Sequence, residues 1–179
     1  MDRSGKIRLL FAGICFVLFA WLMCIMVEKG QENSAVYLES EPVVVQEDEG
    51  KKIMYLTFDD GPSQNTQAVL DILEEYDAKA TFFVTAEFSD YLHLIRAEKE
   101  AGHAIGVHTY SHRYDQIYAD SASYWDDVEK MQKIIEEQCG SRTSILRFPG
   151  GTSNTISQRY AQGIMSQLAE EAEQKQYAY

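Results

Sequence analysis

The sequence of 179 residues has few cysteines and few basic residues, and no internal repeat is visible in it. Its three cysteines are Cys15, Cys24 and Cys139, and the first two share one apolar segment, so no disulfide framework can be built from them. This absence leaves an extracytoplasmic location open, because disulfides are permitted there and are not required. Sixteen basic residues against 28 acidic ones give a formal net charge of −12, which argues against a nucleic-acid partner. The length allows one ordinary domain plus an appendage.

One long apolar run is present, at residues 9–27, and it contains nineteen residues without a charge. As a helix it would measure about 28 Å, close to the ~30 Å hydrocarbon core of a bilayer. Three basic residues precede it, so the positive-inside rule predicts that residues 1–8 are cytoplasmic and that the rest is exported. The alternatives are a cleaved signal peptide, whose apolar run is usually shorter, and a buried core helix, which the basic flank disfavours. We therefore predict a single-pass anchor in the cell membrane.

Beyond the apolar run, the sequence changes character twice. Residues 28–51 are polar and rich in glutamate, which predicts an acidic extracytoplasmic linker. In residues 52–179, short β-prone runs alternate with helical periodicities, so we expect an α/β domain with right-handed βαβ units and a parallel sheet. Strands are predicted at 53–58, 81–84, 104–107 and 145–147, with a fifth beginning at 177–179. Helices are predicted at 66–76, 91–101, 123–137 and 155–174.

Two adjacent carboxylates, Asp59 and Asp60, stand where the first predicted strand runs into the Gly61-Pro62 turn. Neighbouring side chains on a strand point to opposite faces, so one carboxylate can bind a metal while the other accepts a proton. Taken alone, the motif is equally well interpreted as a plain surface turn.

Two imidazoles, His108 and His112, follow the third predicted strand at a spacing of four. This spacing places them on one face of a helical turn, and a curved loop can also bring them together. Neutral imidazole is a common metal ligand, but such a pair alone is weak evidence and surface histidines are the alternative. Combined with the carboxylate pair, it favours a catalytic metal centre with open coordination positions and hydrolysis by a metal-activated water. The other two histidines, His93 and His103, are predicted to be structural.

A third block, Arg147 to Gly151, ends the fourth predicted strand. An arginine there can hold a carboxylate and lower its pKa. Pro149 stiffens the loop, and Gly150 allows a backbone N–H to face a ligand. The alternative is a strand that ends in a turn with one exposed arginine.

These three blocks, TFDDGP, HTYSH and RFPGG, resemble the first three motifs of the polysaccharide deacetylases, which include chitin and peptidoglycan N-acetylglucosamine deacetylases. The resemblance covers residues 52–179 and implies a distorted (β/α) barrel. It implies that Asp60, His108 and His112 bind a divalent metal, commonly zinc and sometimes cobalt, nickel or iron. It also implies that Asp59 is the general base and that Arg147 orients it.

The same resemblance implies how substrate is bound. The N–H of Gly150 would hold the oxyanion, and Tyr110, Phe148 and Pro149 would line a sugar groove. The implied substrate is a cell-wall glycan that contains N-acetylglucosamine, with peptidoglycan the expected one. The predicted surface location favours such a substrate, but the residues do not choose among peptidoglycan, chitin and other glycans. The alternatives are a wall-glycan binding protein without catalysis and a deacetylase of another acylated glycan, such as O-acetyl xylan. The oligomeric state is not indicated.

Two further motifs of this family have no match here: an Asp-Trp pair, and a Leu-x-His whose histidine is the general acid. No histidine follows His112. Loss of a general acid typically costs ~10²- to 10⁴-fold in rate. We therefore expect a barrel that is incomplete at the C-terminus, an intact metal half-site and very low turnover.

Overall fold

The computed structural model describes residues 52–179. The predicted transmembrane helix at 9–27 and the acidic linker at 28–51 lie outside the described residues. Between residues 52 and 179, no helix is both long and apolar enough to cross a bilayer.

A parallel sheet of three strands lies at the centre of the fold. The strands are β1 (Leu56–Gly61), β2 (Ala80–Val84) and β3 (Ala104–Val107), paired in the order β1-β2-β3. Parallel neighbours require crossover connections, and helices α1 (Thr66–Glu75) and α2 (Leu94–Glu100) provide them. The register places Phe58 opposite Phe82. The predicted α/β class is confirmed, although β1 begins later than predicted and runs through the carboxylate pair.

The fourth predicted strand, at 145–147, is not a regular strand. Leu146 forms an isolated parallel bridge with Val107, and Ile145 forms another with Ala178. The segment is short because it is followed by Phe148 and then Pro149, and proline has no amide N–H to extend a ladder. The described residues therefore form an open sheet that continues through two bridges, and they do not close a barrel.

Three helices follow β3: α3 (Tyr114–Ile117), α4 (Ser121–Cys139) and α5 (Ile164–Gln174). The long helix α4 extends two residues beyond each predicted end. The side chain of Asp120 caps it by accepting from the Ser123 N–H at 2.7 Å, and Gly140 ends it in the left-handed conformation. The short helix α3 was not predicted from the sequence.

Two predicted helices are interrupted. The prediction of one helix over 155–174 is wrong, because a 3₁₀ turn at Ser157–Arg159 precedes Gly163, whose φ of 78° breaks the helical path before α5. The side chain of Asn154 accepts from the Ser157 N–H of that turn at 2.9 Å. The segment at 91–101 begins with a 3₁₀ turn at Ser89–Tyr91, and α2 starts only at Leu94.

The core lies between one face of the sheet and the helices. Val84, Val107 and Ile95 are fully buried there, and so are Met131 and Ile135 of α4. Each such side chain contributes about 1.5–3 kcal/mol by burial. Beside this core, an aromatic stack of Tyr118, Tyr124 and Phe148 supports the loops that carry the site, with ring centroids 6.0 and 5.4 Å apart.

Candidate metal centre and active site

The two carboxylates diverge because β1 is irregular at its end. Asp59 stays in register opposite Phe83, whereas the ladder shifts between Asp59 and Gly61, and Asp60 has a φ of 65°. Aspartate tolerates this left-handed conformation better than most residues. Asp59 therefore contacts one set of partners and Asp60 another, as expected from the sequence, although an irregular strand end and not regular alternation separates them.

Asp60 lies between the two histidines. Its Oδ1 is 3.2 Å from His112 Nε2 and 3.4 Å from His108 Nε2, and the three ligand atoms lie within 4.8 Å of one another. His108 is buried, His112 is half-buried and Asp60 is exposed, so the cluster opens to solvent on one side. Two imidazole nitrogens and one carboxylate oxygen form a donor set that fits a borderline divalent cation.

His108 is fixed in the tautomer that a metal ligand needs. Its Nδ1 lies 2.8 Å from the backbone carbonyl oxygen of Arg147, and because a carbonyl can only accept, Nδ1 carries the proton. The lone pair of Nε2 then faces Asp60. Burial lowers the pKa of His108, although the Arg147 carbonyl and the Asp59 and Asp60 carboxylates oppose this effect. The imidazole is therefore neutral near pH 7, as metal binding requires.

A curved loop brings the histidines together, and the helical turn that their spacing suggested is absent. Residues 108–112 lie outside any helix, and Thr109 and His112 have φ values of 68° and 51°. Backbone bonds at the end of β2 support the loop. The His108 N–H donates to Val84, and the Ala86 N–H donates to Tyr110, both at 2.9 Å.

Arg147 holds the other carboxylate. Its Nη1 donates to Asp59 Oδ1 at 2.8 Å and to Thr57 Oγ1 at 2.9 Å. The guanidinium carbon lies 4.0 Å from the centroid of the Phe83 ring. These contacts fix the orientation of the Asp59 carboxylate at the same edge of the sheet as the histidine cluster.

The four residues predicted to bind substrate separate into two pairs. Tyr110 is 39% exposed, and Gly150 is exposed with a φ of 77°. The prediction for the other two is wrong: Phe148 is 2% exposed and stacks on Tyr124, and Pro149 is also buried. Since Arg147 faces the site, the alternation of extended backbone turns Phe148 into the core. Phe148 and Pro149 therefore support the Gly150 turn from beneath and do not line a sugar groove.

Tyr114 belongs to the site, although no motif indicated it. Its ring packs edge-on against His112 with centroids 5.6 Å apart. Its hydroxyl lies 2.9 Å from the position that a Cβ on Gly150 would occupy. Burial, and then the charge of Asp60, raise the pKa of the Tyr114 phenol, which keeps it protonated. Its place two residues after His112 was the only signal in the sequence.

A cavity of about 640 Å³ adjoins Asp59 and Asp60 and was also not predicted. Its apolar lining consists of Phe58, Val69, Phe82, Phe88 and Tyr91.

The two histidines predicted to be structural lie apart from the metal cluster. His103 is buried and accepts from the Ala80 N–H at 3.4 Å, and His93 is exposed, with Nδ1 3.1 Å from the Asp90 carbonyl oxygen.

Comparison with known proteins agrees with this geometry. The family model described as "Polysaccharide deacetylase" matches residues 46–167. A peptidoglycan-N-acetylglucosamine deacetylase of Bacillus cereus is 34% identical over 103 residues, which are 57% of this chain and 37% of that protein. A chitin deacetylase of Arthroderma benhamiae is 36% identical over 113 residues, covering 60% of this chain and 30% of that protein.

Solved structures show the same likeness. The catalytic domain of a peptidoglycan N-acetylglucosamine deacetylase from Eubacterium rectale is 48% identical, with a TM-score of 0.72. The match covers 74% of this chain and 60% of that one. The polysaccharide deacetylase Bc1974 from Bacillus cereus is 29% identical, with a TM-score of 0.61, and the match covers 72% of this chain and 58% of that one. Of the two curated relatives, by contrast, the chain spans well under half the length, at 37% and 30%. Since the family model matches more than half of this chain and the matched residues carry the clustered aspartate and histidines, the chain belongs to the polysaccharide deacetylase family.

Proposed function

We propose that the domain is a metal-dependent hydrolase that removes the N-acetyl group from N-acetylglucosamine in a cell-wall polysaccharide, with peptidoglycan as the substrate. One observation carries this proposal. Asp60, His108 and His112 gather three metal-binding atoms within 4.8 Å, and Arg147 holds the adjacent Asp59 at 2.8 Å. A metal ligand and a separate, oriented base are the two parts that hydrolysis of an amide by water requires.

Asp60, His108 and His112 would hold the cation. Two nitrogen donors and one oxygen donor favour zinc, with cobalt, nickel or iron as alternatives. When bound, such a cation polarises the acyl carbonyl and lowers the pKa of water. The N–H of His108 Nδ1, donated to the Arg147 carbonyl, keeps that imidazole oriented and basic.

The other residues of the site have separate tasks in this proposal. Asp59 accepts the proton of the attacking water, and Arg147 keeps its carboxylate in position. Gly150 is exposed, and its N–H donates no hydrogen bond to any of the described residues. It is therefore free to donate to the acyl oxygen as negative charge develops there. Tyr110 offers an exposed aromatic face to a sugar ring.

The relatives support the choice of substrate, since proteins named as peptidoglycan and chitin deacetylases match this chain. We also propose that residues 9–27 anchor the domain on the outer side of the cell membrane, next to the wall. The charge-free run and the basic residues before it support this part of the proposal.

We expect slow turnover by these 179 residues. The four histidines are His93, His103, His108 and His112, so the site holds no additional histidine to protonate the leaving amine. A missing acid lowers the rate by ~10²- to 10⁴-fold.

Acetate release by the full chain tests the proposal. The zinc-loaded protein is incubated with chitopentaose, with N-acetylated peptidoglycan and with O-acetyl xylan. We expect slow, zinc-dependent release from the N-acetyl substrates, and none from the Asp59→Asn variant. Equal release by the wild type and by that variant would contradict the assigned base. Saccharide binding without any acetate would instead indicate a binding protein, and release from xylan alone would indicate an esterase.

A further inference from the structure

Helix α4 carries a buried carboxylate that contacts the histidine loop. Asp127 is 6% exposed and lies outside the three motifs. Its Oδ1 accepts the backbone N–H of Tyr110 at 2.6 Å and that of Ser111 at 3.0 Å. A buried carboxylate requires such partners, and its bonds to N–H groups are stronger than those of a neutral acceptor. The two amides belong to residues that lie between His108 and His112, so Asp127 holds the centre of that loop.

The loop needs this support because its backbone is strained. Thr109 and His112 both have positive φ, which costs free energy for residues with a Cβ. Thr109 is β-branched and fully buried, and its hydroxyl has no hydrogen-bond partner within residues 52–179. Without an external acceptor at its centre, the loop would relax toward ordinary φ values and would carry His112 with it.

The two histidines are secured to different degrees. His108 is fixed twice, through its N–H to Val84 and through Nδ1 to the Arg147 carbonyl. Apart from its contact with Asp60, the His112 ring makes no hydrogen bond to a described residue and rests on the His108 and Tyr114 rings. The position of His112 Nε2 therefore depends on the backbone that Asp127 holds.

We propose that Asp127 is a positioning residue for the metal centre, since its carboxylate holds the Tyr110–Ser111 backbone so that His112 Nε2 faces Asp60. Helix α4 is a rigid support for this role, because it is capped by Asp120 and anchored in the core by Met131 and Ile135. The inference rests on the proposed function only in requiring that the cluster binds a divalent cation.

Cobalt binding by the full chain tests this role. Co²⁺ affinity is measured by competition with a chelating dye, and the absorption spectrum of the bound Co²⁺ reports its coordination. We expect Asp127→Ala to weaken Co²⁺ binding by roughly 10- to 100-fold, the range for partners that orient metal ligands. Its spectrum should change as the His112 ligand is lost or displaced. Asp127→Asn keeps an acceptor oxygen but removes the charge, so we expect an intermediate loss of affinity.

Gln132 provides the matched control. It is fully buried on the same helix, and it donates to the Thr143 carbonyl at 2.7 Å and accepts from the Thr143 N–H at 3.2 Å. Gln132→Ala should lower the thermal midpoint of the metal-free protein and leave Co²⁺ affinity and the spectrum unchanged. If Asp127 were merely structural, Asp127→Ala would likewise lower the thermal midpoint and leave Co²⁺ affinity and the spectrum unchanged.

The outcomes separate this inference from the proposed function. If Asp127→Ala, measured below its thermal midpoint, binds Co²⁺ as tightly as the wild type, the positioning role is overturned and the proposed metal centre is unaffected. If Asp127→Ala does not fold, Asp127→Asn decides, with weakened binding in support and wild-type binding against. Absence of Co²⁺ binding by the wild-type chain would overturn both.

Discussion

Glu98 on helix α2 should make the stability of this domain depend on pH. Its side chain is fully buried, and neither carboxylate oxygen has a hydrogen-bond partner in residues 52–179. Burial raises the pKa of Glu98 from 4.5 to about 8, so the folded protein keeps this group protonated at neutral pH. The unfolded chain, in water, releases the proton near the ordinary pKa.

The sign of the effect follows from proton binding. Between the two pKa values the folded state binds more protons than the unfolded state, so stability falls as pH rises. The stabilisation that comes from proton binding at Glu98 is fully present below about pH 4.5, and it is completely lost above about pH 8. Between the two pKa values, the free energy of unfolding falls by about 1.4 kcal/mol for each pH unit. The loss between pH 5 and pH 8 is therefore about 3–4 kcal/mol. This is a large part of the ~5–15 kcal/mol that holds an ordinary domain folded.

Urea unfolding followed by circular dichroism measures this loss. Wild type and Glu98→Gln are compared from pH 5 to pH 9, because glutamine has the same shape and does not titrate. We expect the two proteins to have similar free energies of unfolding near pH 5. As pH rises, the free energy of unfolding of Glu98→Gln should exceed that of the wild type increasingly, by about 3–4 kcal/mol at pH 8. Glu100→Gln, at an exposed position on the same helix, should show no such trend. Parallel curves for wild type and Glu98→Gln would refute the reasoning.

Three further outcomes test the site itself. Replacing His108 and His112 together by alanine should abolish zinc binding in a calorimetric titration, and undiminished zinc uptake would remove the basis of the metal centre. Gly150→Ala should lower the free energy of unfolding by about 1–2 kcal/mol, because its φ is 77° and the added Cβ would lie 2.9 Å from the Tyr114 hydroxyl. In thermal melts, adding Tyr114→Ala to Gly150→Ala should remove the part of that loss caused by the clash with the hydroxyl and leave the part caused by the positive φ. Arg147→Lys should reduce acetate release by roughly tenfold or more and leave zinc affinity unchanged, because an ammonium lacks the planar group that stacks on Phe83 and points Nη1 at Asp59 and Thr57.

Features that depend on local chemistry could be read from the sequence. The alternation of apolar runs and helical periods predicts the parallel sheet, and β3 occurs at the predicted residues. Asp60, His108 and His112 end or follow strands, and the carboxyl ends of parallel strands meet at one edge, so their convergence could be predicted. The helix α4 was predicted from its helical periodicity.

Features that depend on tertiary packing could not be read in this way. The burial of Phe148 depends on Tyr124 and Tyr118 from distant parts of the chain, whereas its own motif suggested a sugar groove. The positive φ of His112 is a local cost that only a partner elsewhere in the fold can offset, and no spacing rule reveals it. Asp127 looks like any acidic residue on a polar helix face until its contact with the loop is seen.

Metal binding and turnover should be separable in this chain because they depend on different parts of the fold. The ligands come from the ends of β1 and β3, and β2 lies between these strands and pairs with both. At the end of β2 the Thr85 N–H donates to Gly61 at 2.7 Å, and the His108 N–H donates to Val84 at 2.9 Å. These bonds, with α4 behind the loop, hold the ligands without any closed barrel. The proposed chemistry also needs a base, an oxyanion donor and an acid, and our proposal assigns the first two to Asp59 and the Gly150 N–H. Metal binding is therefore the part of the proposed activity that this open sheet can support by itself.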